Sequence, residues 1–148
     1  MSDAVTTITA EPGRVLALLR GSLDAFEAVS FRVTGDCMRP ALGAGDLVRV
    51  APARMRRPRL GDVVLVATGG GLRLHRLVWG PPLAVARWRT KGDHAPGFDG
   101  PLPPEGALGT VVGVEGPGGL RPVFSPVRAL GSLLHGLISR LNSTSFRA

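Results

Sequence analysis

Three Gly-Asp pairs, Gly45-Asp46, Gly61-Asp62 and Gly92-Asp93, punctuate the middle of the chain, and the first two open onto apolar runs. Gly followed by Asp is turn chemistry: glycine reaches backbone angles closed to other residues, and aspartate caps neighbouring N–H groups. The runs between the turns are too short for helices. Leu47-Val48-Arg49-Val50 alternates and reads as a half-buried strand, whereas Val63-Val64-Leu65-Val66 is continuous and reads as a buried one. Gly69-Gly70-Gly71 then turns the chain back into LRLHRLVW at 72–79, and residues 83–89 and 108–114 supply two more strand-like runs.

The flanks have a different period. Pro12 sits where a helix can begin, and Val15, Leu16, Leu18, Leu19, Leu23 and Phe26 recur at helical spacings, interrupted by Gly21. From Ser125-Pro126, Leu130, Leu133, Leu134, Leu137, Ile138 and Leu141 fall at i, i+3, i+4, i+7, i+8 and i+11, which predicts a capped amphipathic helix. The expectation is that its apolar stripe packs on its own domain. Contact with a membrane surface or partner is the second option, because Arg128 and Arg140 lie near its ends. The segments are thus a flexible arm at 1–10, a helical segment at 11–29, a β domain at 30–124, an amphipathic helix at 125–141 and a disordered tail at 142–148.

With 148 residues and 44 % apolar content, one domain with a real core is the default. No run of about 18 apolar residues occurs, and the amino end lacks a basic region followed by an apolar stretch. The expected location is therefore cytoplasmic or peripheral at a membrane, with neither a spanning segment nor a signal peptide. A single cysteine excludes an internal disulfide. The net charge of +7 raises the question of nucleic acid, but all except one of the 18 basic residues are arginines spread along the chain, with no tyrosine and few aromatics to stack on bases. Nucleic acid is not the expected partner.

The lone cysteine marks the candidate site. In FRVTGDCMRPALGAGDLVRV, residues 31–50, an alternating stretch bends at Gly35-Asp36-Cys37-Met38-Arg39-Pro40 and returns as a strand, leaving the thiol at the bend. A nucleophile there is exposed yet rigidly held, with backbone N–H groups beside it because Pro40 and the bend interrupt pairing. The plainer reading is a small buried cysteine in an ordinary hairpin. His75 breaks the apolar rhythm of its strand, and the loop that follows Thr90-Lys91 holds Asp93, His94 and Asp99. These types supply a nucleophile, a base and an orienter: a thiol of pKa ~8.5 is only slightly ionised at neutral pH, a histidine takes its proton, and a carboxylate fixes the imidazole tautomer. A metal held by Cys37, His75 or His94, and Asp93 or Asp99 is the competing use, but no tight ligand spacing such as C-x-x-C supports it. No cofactor is expected.

GDCMRPALGAGDLVRV resembles the first box of the signal peptidase I family, G-x-S-M-x-P-x-L followed by Gly-Asp and a strand, with Cys37 at the position of the nucleophilic serine. LGDVVLV and LHRLV are similar to the family's next boxes, the second carrying the general base before an arginine. His75 followed by Arg76 looks like the histidine-using type found in the endoplasmic reticulum and archaea. TKGDHAPGFD is similar to that type's T-K-G-D box, which implies Asp99 as the orienting aspartate and Asp93 as support for the loop. LGTVVGV looks like the closing strand. The resemblance covers residues 31–115 and implies a mainly β, coiled-sheet fold of the type shared by signal peptidases and LexA-like repressors.

The activity it implies is that of an endopeptidase that cleaves a peptide or precursor protein with Cys37, His75 and Asp99. The edge at Phe31 and Val33, with Gly35 and Met38 at the bend, would receive an extended substrate by strand addition. Gly35 offers an oxyanion no hydroxyl, which leaves the Cys37 backbone N–H as the donor. Two alternatives stand beside this one. A catalytically weakened peptide-binding or maturation-accessory module would keep the fold, and a LexA-like regulator would use it for control.

Overall fold

The structure, a computed structural model, describes residues 12–68 and 71–144. Helix α1 spans Pro12–Ala25. It is followed by β1 (Val29–Arg32), β2 (Leu47–Pro52), β3 (Val63–Thr68), β4 (Gly71–Trp79) and β5 (Arg89–Lys91), then β6 (Ala107–Gly116), β7 (Gly119–Arg121) and helix α2 (Pro126–Thr144). The protein is mainly β: among the described residues all seven strands join one antiparallel sheet in the order β1-β2-β6-β3-β4-β5, with β7 added beside β6.

The buried run expected at 63–66 is β3, between β6 and β4. Successive side chains of a strand point to opposite faces. Val63 and Leu65 accordingly join the main core with Leu19, Leu23, Met38, Leu42, Val48, Val50, Leu74 and Val111. Val64 and Val66 join a second cluster with Leu77, Trp88, Leu102 and Ala107. Apolar contact on both faces is why this strand has no alternation.

Several boundaries differ from the sequence expectation. α1 runs through Gly21 without a break, and its last carbonyls, those of Leu23 and Asp24, accept hydrogen bonds from the Arg54 guanidinium at 3.0 and 3.1 Å. Arg54 thus closes a helix end. The strand expected at 83–89 is replaced by turns, with Leu83 and Val85 exposed and Arg87 in the left-handed region at φ 57°. Gly80-Pro81-Pro82 explains this, because the prolines have no N–H for a ladder and the turn bonds of Leu83 and Ala84 go back to the Gly80 carbonyl. Pairing resumes at the Trp88–Leu102 bridge and in β5. After the turn at 116–119 the chain pairs back on β6 as the short strand β7.

α2 is present, but it reaches Thr144, so residues 142–144 are helical and not tail. The arm at 1–10 and residues 145–148 lie outside the described residues. The larger correction concerns the orientation of α2. Its buried stripe is Ala129, Ser132 and Gly136, while Val127, Leu130, Leu134, Leu137 and Ile138 are 45–79 % exposed. The helix sits so close to the domain that a Cβ at Gly136 would fall 2.4 Å from the Phe98 ring. Small residues permit that approach, and the leucine face consequently points outward. Among the described residues no helix is long and apolar enough to cross a membrane.

Candidate active site

The box at 34–44 is a loop closed at its base by main-chain bonds from Val33 N–H to the Asp46 carbonyl (2.9 Å) and from Gly45 N–H to the Val33 carbonyl (2.8 Å). Gly45 has φ +91°, a conformation that favours glycine. Inside the loop Asp36 accepts from Arg39 Nε at 2.7 Å and from Ala44 N–H at 3.1 Å, and Asp46 accepts from Gly43 N–H at 2.9 Å. The Ala44 N–H bond, then the Arg39 guanidinium, hold the Asp36 carboxyl below its usual range. Met38 plugs the loop into the core at 1 % exposure, which leaves its neighbour Cys37 facing out.

β4 carries the partner. His75 Nε2 is 3.2 Å from Cys37 Sγ, and His75 Nδ1 is 2.5 Å from Asp99 Oδ2. An ionised carboxylate only accepts, so Nδ1 carries a proton and donates to Asp99, and Nε2 faces the thiol. Asp99 is itself fixed: its Oδ2 accepts from Thr90 Oγ1 at 2.7 Å, its Oδ1 from Arg73 at 3.0 Å, and its N–H donates to the Thr90 carbonyl at 3.0 Å. The cysteine, histidine and aspartate singled out in the sequence therefore meet in one line from three separate segments.

Two opposed electrostatic effects act along that line. Burial alone would raise the Asp99 carboxyl, but hydrogen bonds from His75 and Thr90 and the charges of His75 and Arg73 together carry it below its usual value. Cys37 moves the other way. Burial pushes the thiol up, Asp99 and Asp36 add to this, and its own backbone N–H and Arg73 only partly offset it. The raised thiol is then mostly protonated at rest and faces His75 Nε2 as a potential donor.

Asp93 does not reach Cys37 or His75. Its two oxygens take a bidentate pair from the Arg76 guanidinium at 2.9 and 2.8 Å, its N–H faces Met38 Sδ at 3.4 Å, and Ser132 Oγ on α2 lies 3.5 Å away. Arg76 is fully buried and donates also to the carbonyls of Gly61 and Val123. Asp93 thus fastens β4, the Met38 plug and α2 to each other. His94 is exposed and contributes its main-chain N–H to the Cys37 carbonyl at 2.9 Å. Among the described residues no group of three His, Cys, Asp or Glu could hold a metal ion.

Lys91, the only lysine, is fully buried, and burial lowers its pKa against the opposing charges of Asp93 and Asp99. Its Nζ donates to the Gly92 carbonyl at 3.1 Å.

A groove of about 670 Å³ opens over Cys37, His75 and Asp99. Phe31, Val33, Gly35 and Met38 all line it, and so do residues the sequence did not mark: Val15 and Leu19 of α1, and Leu72, Arg73 and Leu74 of β4. β5 pairs with β4 only between Arg76 and Trp79, so the stretch of β4 beside the groove has no neighbour from β5. The partial signal for Thr90 and Arg73 was strand parity: Thr90 is register partner of Leu77, and residues 73, 75 and 77 point to one side.

No protein-family model matches the chain, and a search of curated proteins finds no match.

Proposed function

We propose that the protein is a signal-peptidase-like endopeptidase with Cys37 as nucleophile, His75 as general base and acid, and Asp99 as orienter. The observation that carries the proposal is the continuous relay from Cys37 Sγ through His75 to Asp99, 3.2 and 2.5 Å long in its two steps, at the floor of an open groove. In the reaction the thiol proton passes to His75 Nε2 as sulfur attacks the scissile carbonyl carbon. The resulting oxyanion takes the Cys37 backbone N–H, and the imidazolium, steadied by Asp99, returns its proton to the leaving amine as the C–N bond breaks. Water, deprotonated by His75, then cleaves the thioester and restores the thiol.

The substrate class follows from the groove. An extended peptide can add its main chain along the exposed segment that continues β1 past Arg32 and along β4 beside residues 72–74, while Phe31, Val33, Leu72 and Leu74 offer apolar contacts to alternate side chains. A second reading, a peptide-binding module of the same fold with weak turnover, is favoured by the raised thiol pKa, since little thiolate is then present at rest. The test is cleavage of an internally quenched peptide library by the purified protein. Turnover lost in both Cys37→Ala and His75→Ala supports the peptidase. Peptide binding without turnover in the wild type, with cleavage gained in Cys37→Ser, would replace it with the module. Turnover that persists in Cys37→Ala overturns the assignment of the nucleophile.

A further inference from the structure

We infer that the outward face of α2 is a docking surface for an anionic lipid bilayer, on which the helix lies flat. Five apolar side chains, Val127, Leu130, Leu134, Leu137 and Ile138, form the face, each 45–79 % exposed. At about 100° per residue they fall within one arc, opposite the Ala129, Ser132 and Gly136 stripe that touches the domain. The placement is fixed from inside, since Gly136 leaves no room for a side chain against Phe98 and the Arg140 guanidinium stacks over the same ring at 5.0 Å. Rolling the leucines inward would require larger side chains where the helix and domain already touch.

Charge selects the occupant. After Glu115 the chain contains Arg121, Arg128, Arg140 and Arg147 and no Asp or Glu, in a protein whose net charge is already +7. A second copy docking through this face would bring two strongly positive surfaces together, whereas an anionic bilayer attracts them and accepts the apolar arc at its headgroup boundary. Arg128 and His135 lie along one flank of the arc, where polar groups of an interfacial helix meet headgroups. No residue of α2 lines the active-site groove, so docking would leave the groove open.

The test is flotation of the full chain with vesicles of phosphatidylcholine alone and of equimolar phosphatidylcholine and phosphatidylglycerol, comparing wild type with Leu134→Gln/Ile138→Gln. Both altered side chains are exposed, and circular dichroism checks that the fold is kept. The wild type is expected to float with the anionic vesicles only, to be released by high salt, and to bind at least tenfold more tightly than the double variant. The double variant keeps every charge, so equal binding would reduce the effect to general attraction between opposite charges and overturn the proposal. Failure of the wild type to float with anionic vesicles would overturn it too. So would a wild-type dimer in sedimentation equilibrium that the double variant dissolves without any vesicle binding, which would assign the face to a second copy.

Discussion

Gly92 presses against Cys37: a Cβ at residue 92 would lie 2.7 Å from the Cys37 carbonyl oxygen and 3.1 Å from His75 Nε2. The same carbonyl accepts the His94 N–H, so the 92–94 turn is the mould that sets the height of the nucleophile loop above the imidazole. Gly92→Ala is expected to push the loop away, costing ~1–3 kcal/mol in urea unfolding as an overpacked core site does. Loss of the 3.2 Å approach of sulfur to nitrogen should lower kcat/KM for peptide cleavage on the order of 100-fold. Unchanged unfolding and unchanged kinetics would show that the turn has slack that this geometry denies.

In the proposed reaction Thr90 is a positioning residue that acts through Asp99. Thr90→Val removes one of two donors to Asp99 Oδ2 and keeps side-chain shape. It should cost ~0.5–1.5 kcal/mol of stability. It should also raise the Asp99 pKa, since Thr90 is among the groups holding that carboxyl down. A carboxyl with a depressed folded pKa stabilises the fold above its unfolded value and loses this contribution as pH falls through the folded pKa. The variant should therefore lose stability at higher pH than wild type on acidification. Asp99→Asn, which leaves His75 free to adopt the wrong tautomer, should reduce kcat by a factor on the order of 10³–10⁴. Identical acid limbs for wild type and Thr90→Val would remove Thr90 from the relay.

Alkylation reports the state of Cys37 directly. Because the thiol is pushed up by burial, its thiolate fraction should be small at neutral pH and rise as pH passes the ordinary thiol range of ~8.5. The rate with iodoacetamide should accordingly climb from neutral pH to beyond about pH 9. An alkylation rate that levels off below neutral pH would mean that a thiolate–imidazolium pair is already formed at rest. Arg73→Gln should slow alkylation further, since the Arg73 charge is one of the groups that lower the thiol pKa.

Turns and periodicity, both local properties, made much of this molecule legible in advance. Gly45-Asp46 and Gly61-Asp62 opened β2 and β3, and the apolar continuity of 63–66 identified a strand buried on both faces. Cys37, His75 and Asp99 stand out in the sequence as residue types at strand ends and loops, and they meet. What local pattern could not tell is which face of an element the rest of the chain covers. The α2 leucines recur at helical period yet face outward, because the inner contact is decided by Gly136 against Phe98, 38 residues apart in sequence. Asp93, expected to support its loop, is held by Arg76, a pairing across 17 residues that depends on how far the loop folds back. The strand expected at 83–89 failed because two prolines outweigh the apolar character of Leu83 and Val85.

The Arg76–Asp93 pair gives the sharpest separation of fold from chemistry. Both groups are buried, at 0 and 5 % side-chain exposure, and removing one partner leaves the other charge without compensation. Arg76→Met should cost ~3–5 kcal/mol in urea unfolding, since Asp93 loses its bidentate partner, the Val123 carbonyl loses the Arg76 donor and the Gly61 carbonyl keeps only the Ser125 N–H. Arg76→Lys keeps the charge but not the planar fork, so it should fall between wild type and Arg76→Met. In Arg76→Met/Asp93→Leu neither member of the pair is left unpaired, although buried Lys91 keeps only Asp99 as an opposing charge, and the double variant should be more stable than Arg76→Met alone by ~1–3 kcal/mol. Because the pair touches neither Cys37 nor His75, the double variant should keep measurable Cys37-dependent turnover once folded. A double variant that is well folded yet inert would mean that the pair also sets the geometry of the relay through Met38 and the 92–94 turn.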